Sequence, residues 1–168
     1  VHSYRKLGDD IPPGSRFDRR KGFYYEAFNT ALFLAPDSAP QFYHKTKLVP
    51  TFERMPFVQY LGFLGRFSLE LGGYTGTYSY RQESTNFVSH DGSISILPIV
   101  CFESVFGPYC AQNLSPKKGF ISMITNDGWW KNTPGYRHHY NFSPIRAIES
   151  RRDLVRVANT GISALIDA

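Results

Sequence analysis

Apolar residues fall in short blocks broken by Gly, Pro and charged residues. Blocks of strand length rich in β-branched and aromatic residues predict strands. FYYEAFNTALFLA (23–35) predicts a strand, and Gln41 to Val49 its hairpin partner across the turn from Pro36 to Pro40. Residues 84–90 and 94–101 predict two more strands around an Asp91-Gly92 turn. GFISMIT (119–125) is apolar without alternation, as in a strand buried on both faces. LVRVAN (154–159) and SALID (163–167) predict closing strands around Thr160-Gly161.

Helical spacing appears in three places. Residues 57–71 carry Leu61, Leu64, Phe67 and Leu71, and Gly72-Gly73 ends the run. A short helix is expected after Cys101, to about Leu114. A longer one runs from about Gly135 to Arg152, with a break or late start at Pro144. Residues 1–22 are polar and rich in Gly and Pro, so they read as loop. Strands and helices mix along the chain, which gives an α/β or α+β class.

Composition narrows this picture. With 42% hydrophobic and 20% charged residues in 168, the chain can form a core and is not disordered. The net charge is +5, but the basic residues are scattered and no nucleic-acid module motif is present. Cys101 and Cys110 sit nine apart, a spacing that fits no zinc or redox motif. His138 and His139 are adjacent and point in different directions on a helix, with no third ligand at convincing spacing, so no metal is expected. There is no signal peptide or apolar run long enough to span a bilayer. The chain begins at Val1 and stops at Ala168 just after a strand, so both ends read as cuts in a longer protein.

Three segments carry candidate chemistry: FYHKTKLVPTFERMPF (42–57), ILPIVCFESVF (96–106) and ITNDGWWKNTPGYRHHYNFSPIRAIESRRDLVRVANTGISALID (124–167). By spacing alone, Cys101 is more simply a buried core cysteine and Lys45 a solvated strand lysine. In order and spacing, however, the three segments resemble the apolipoprotein N-acyltransferases of the nitrilase, or carbon-nitrogen hydrolase, superfamily. The resemblance covers roughly residues 23–167. NDGWW and RAIESRR…ANTG are its most specific parts.

That resemblance implies a nitrilase-type αββα sandwich, truncated at both ends, with residues 1–168 forming part of a carbon-nitrogen hydrolase domain. It implies Cys101 as nucleophile, with Cys110 structural. Lys45, not Lys47, would be the lysine that stabilises the oxyanion, helped by the backbone N–H of Phe102. Glu53 would orient Lys45. Glu103 would support the site, lying on the same side as Cys101 if the strand persists. Asn29 would face the site, and Asn126, Trp129 and Trp130 would contact substrate. Phe102 stands where the family often has tyrosine, and Phe52 where a glycine is more usual.

The implied activity is acyl transfer from a phospholipid to the N-terminal cysteine amine of a diacylglyceryl-apolipoprotein through a thioester, with no cofactor or metal. The implied setting is the bacterial inner membrane, with the catalytic domain facing the periplasm and transmembrane helices elsewhere in the parent. The run 57–71, apolar on more than one face, reads as an arm lying near the bilayer rather than a core helix. The family's glutamate base belongs to a motif upstream of Val1, so the 168 residues alone are expected to be inactive. A soluble nitrilase-type amidase and a catalytically dead binding module are the alternatives.

Overall fold

A computed structural model describes residues 2–12, 15–50, 53, 78–81 and 84–168. The expected helix at 57–71 lies outside these residues. Among the described residues nine strands form two sheets. The first is built on the long strand β3 (Phe23–Phe33), flanked by β1 (His2–Lys6), β2 (Arg16–Asp18) and β4 (Gln41–His44), all antiparallel to it. The second runs in the order β5 (Phe87–Val88), β6 (Ser95–Val100), β7 (Gly119–Asn126), β8 (Leu154–Asn159), β9 (Ala164–Ile166). Its central strands β6, β7 and β8 are parallel and its edges antiparallel. Helices α1 (Gly107–Asn113) and α2 (Gly135–Ser150) make the crossovers between the parallel strands.

Strand β6 shows why its sequence carries little alternation. Leu97 and Ile99 pack with Ile121, Met123 and Leu154 against Tyr109 and Cys110 of α1 and Ala147 of α2. Ile96 and Val100, on its other face, meet Ala31, Phe33 and Tyr43 of the first sheet. A strand covered by a helix layer and by a second sheet must be apolar at nearly every position. The architecture is therefore α/β, with two facing sheets and helices outside the second. Three of the sandwich's four layers lie among the described residues.

Three expectations need correcting. Residues 1–22 are not loop throughout, because β1 and β2 add to β3. Their side chains are largely exposed, so they carry no apolar period; Arg5 pairs with Glu26 at 2.6 Å and Ser3 bonds Thr30. Strand β4 ends at His44 rather than Val49: the Lys45 N–H still reaches the Asn29 carbonyl, but those of Thr46 and Lys47 are given to a side chain, as described below. Helix α2 runs unbroken through Pro144. Ser143 and Ala147, both fully buried on the sheet, hold it there despite the missing N–H.

Candidate active site

Strand β6 ends at Val100, and Cys101 turns the chain sharply into a 3-10 turn, Cys101–Val105. Its φ is +52°, in the left-handed region that non-glycine residues enter at a cost of about 1–2 kcal/mol. Such a turn lifts a side chain off the end of a parallel strand. Cys101 is partly exposed, whereas Cys110 is buried and burial pushes its thiol up to about 11. Only the first is presented to solvent.

Glu103 does not continue the strand as expected. The 3-10 turn folds it back into the interior, where it has no exposed surface. Its carboxylate accepts from the Thr46 N–H at 2.7 Å, the Thr46 hydroxyl at 2.9 Å and the Lys47 N–H at 3.1 Å. It also accepts from the Tyr43 hydroxyl at 2.6 Å and the Val100 N–H at 2.8 Å. Burial, then the Glu103 charge, pushes the Tyr43 hydroxyl far above its ordinary value, so it stays protonated and donates. One carboxylate thus binds the residue after Lys45 to the residue before Cys101. Two segments distant in sequence are fixed against each other.

Lys45 is almost completely buried. Its ammonium donates to both oxygens of Glu53, at 2.8 and 2.7 Å. Glu53 also accepts from Asn29 Nδ2 at 2.6 Å and from the Val49 N–H at 2.7 Å. With four hydrogen bonds from three donor groups on two oxygens, Glu53 is saturated as an acceptor. It holds the lysine ammonium in place. Two of the three ammonium N–H groups are committed to it, which leaves one to point elsewhere.

A second buried network lies on the other side of Cys101. Asp127, in the 3-10 turn Asp127–Trp130 that follows β7, accepts from Arg156 at 2.7 Å and pairs with His139 Nδ1 at 2.8 Å. His139 Nε2 lies 3.3 Å from the Cys101 carbonyl. Adjacent positions on a helix do not by themselves single out His139 from His138. A signal was present: Arg156 shares a strand face with Leu154, so an inward charge there demanded a buried partner.

A cavity of about 380 Å³ opens over these groups. Cys101, Phe102, Val105, Asn126, Trp129, Trp130 and Phe142 line it, together with Val49, Glu53, Gly135, His138 and His139. The expected site residues Cys101, Phe102, Glu53, Asn126, Trp129 and Trp130 therefore share one mostly apolar wall. Lys45 and Asn29 do not line it; they reach it through Glu53. Glu103 lies beneath, in the frame. Among the described residues no group of three His, Cys, Asp or Glu side chains is arranged to hold a metal ion.

No family model matches the chain. Curated relatives do, and they are named apolipoprotein N-acyltransferase. One from Chlorobaculum tepidum is 34% identical over 149 residues, 87% of this chain and 28% of the relative. One from Rhizobium rhizogenes is 37% identical over 74% of this chain and 22% of the relative. One from Rhodopseudomonas palustris is 32% identical over 94% of this chain and 28% of the relative. The chain thus spans about a quarter of these relatives' length, from 22% to 28%. Among solved structures, a carbon-nitrogen hydrolase superfamily protein from Xanthomonas campestris, described with an arsenic adduct in its active site, superposes with a TM-score of 0.55. It is 23% identical and covers 84% of this chain and 50% of its own, a likeness of fold. With the ordered motifs and these relatives agreeing, and with a fold like that of a carbon-nitrogen hydrolase, the chain belongs to the apolipoprotein N-acyltransferase family.

Proposed function

We propose that this chain carries the nucleophile and oxyanion lysine of a two-step acyl transfer from phospholipid to a lipoprotein. The observation that carries the reading is the partly exposed Cys101, turned at φ +52° into a cavity walled by Phe102, Trp129, Trp130 and Phe142. An apolar wall beside a presented thiol suits a long acyl chain better than a small polar amide.

In the first step the thiol proton passes to a general base, and Sγ adds to the ester carbonyl. The oxyanion takes the remaining N–H of Lys45 and the backbone N–H of Phe102. Collapse expels the lysophospholipid alkoxide, which recovers the proton, and leaves a thioester on Cys101. In the second step the α-amine of a diacylglyceryl-cysteine attacks the thioester carbonyl. The amine loses a proton, the amide forms and the thiol is restored. Asn126, Trp129 and Trp130 contact the acyl donor.

The base is a carboxylate outside the described residues. Each described glutamate is already committed: Glu26 to Arg5, Glu53 to Lys45, Glu103 to the frame and Glu149 to Arg146. We assign the activity to the outer face of a bacterial inner membrane, where its lipid donor resides. No helix among the described residues is long and apolar enough to cross a membrane.

The test is transfer by the full-length protein from phosphatidylethanolamine vesicles to a synthetic diacylglyceryl-cysteine peptide, read as a mass gain on the peptide. Lys45→Met is expected to slow transfer about 100-fold or more, as loss of an oxyanion donor does. Rapid hydrolysis of small amides without transfer to the peptide would replace this reading with that of a soluble-type amidase.

A further inference from the structure

Cys101 sits in a costly backbone conformation, and what holds it there is on its carbonyl side. The Ser104 hydroxyl donates to the Cys101 carbonyl at 2.9 Å. His139 Nε2 approaches the same oxygen at 3.3 Å and lies 3.4 Å from Ser104 Oγ. We propose that His139 is a positioning residue for the nucleophile, holding the Cys101 carbonyl and so fixing the turn that aims Sγ into the cavity. The inference rests on Cys101 being the nucleophile; it does not depend on the identity of the acyl donor.

The ring's orientation is fixed from behind. Nδ1 donates to Asp127 Oδ1, which also takes the Thr125 hydroxyl at 3.2 Å. Asp127 Oδ2 takes Arg156, whose guanidinium also donates to the Ile162 carbonyl at 2.9 Å and Ser143 Oγ at 3.2 Å. The Asn159–Thr160–Gly161 turn is shaped around this carboxylate. Gly161 has φ +102°, and a Cβ there would lie 2.5 Å from Asp127 Oδ2. Strand β8, the turn after β7, helix α2 and the turn after β6 thus meet in one buried chain of contacts that ends on the nucleophile's own carbonyl.

A carbonyl oxygen only accepts, so Nε2 is the donor in the contact to Cys101. Ser104, His139 and Asp127 stand in the order of a serine-nucleophile triad. Ser104, however, has no exposed surface, and its proton is given to the Cys101 carbonyl. It completes the clamp and is not a second nucleophile.

The experiment is alkylation of the full-length protein by iodoacetamide, with the rates at Cys101 and Cys110 read separately by peptide mass spectrometry. Buried Cys110 reports on loosening of the fold, which a merely structural role of His139 would move together with Cys101. His139→Leu is expected to slow Cys101 about ten-fold, the scale of one lost hydrogen bond and relaxed left-handed strain, with Cys110 still protected. His139→Gln, which can return an N–H to the carbonyl, is expected to stay within about a factor of three of the parent. An unchanged Cys101 rate in His139→Leu overturns the proposal. If that variant loosens the fold and exposes Cys110, His139→Gln against His139→Asn decides: a faster glutamine variant supports the clamp and equal rates overturn it. A parent Cys101 no faster than a free thiol removes the nucleophile reading and this inference together.

Discussion

Glu103 organises the site more than any residue that touches the cavity. Five donors converge on its buried carboxylate, three from the segment after Lys45 and its neighbours and two from Tyr43 and the end of β6. In Glu103→Gln one oxygen becomes an NH2 group that faces donors it cannot bond. The expected cost is about 3 kcal/mol, the scale of disrupting a buried, fully bonded charge. Urea denaturation of the full-length protein measures it, and a change below about 0.5 kcal/mol, typical of a surface site, would show that the frame does not depend on this charge. At this scale the sequence was legible where a motif ties residue type to position. The motif that singles out Lys45, Glu53 and Asn29 names three side chains that the structure joins by hydrogen bonds. Glu103 was named for the wrong geometry, since nothing in CFES says that the strand stops at Val100. His139 was missed because two adjacent histidines on a helix look alike until the partner is known. Its partners lie twelve residues before it and seventeen after, in Asp127 and Arg156.

Elements were easiest to read where packing forces a pattern. Strands β6 and β7 and helix α2 were expected close to where they lie, because burial on the sheet or against it dictates their apolar positions. Strands β1 and β2 were not, since an exposed strand needs only backbone partners and these are invisible in composition. Pro144 exposes the limit of a local rule. Its ring removes one hydrogen bond from α2, yet the helix continues because tertiary packing outweighs propensity. Pro144→Ala is therefore expected to stabilise the protein, by up to about 3 kcal/mol. A thermal melt that fell instead would mean the proline supplies packing that the helix needs.

On the scale of the molecule, the two sheets divide the labour. The first carries Lys45 at the end of β4 and the second carries Cys101 at the end of β6. The seam between them is sealed by Tyr43, Ala31 and Phe87 and bridged by Glu103. The cavity opens where the two strand ends meet, which is the usual place for a site in an α/β sheet. Part of the second sheet remains open, with Ile124 and Val157 40% and 53% exposed, so the described layers leave apolar surface uncovered. The proposed transfer turns on one covalent event at that seam. Incubating the full-length protein with phosphatidylethanolamine of one acyl length, without acceptor, and mapping the quenched protein by peptide mass spectrometry tests it. One acyl chain is expected on the Cys101 peptide, removed by neutral hydroxylamine and absent in Cys101→Ala. Acyl transfer that proceeds in Cys101→Ala, or an adduct on any other residue, would contradict it.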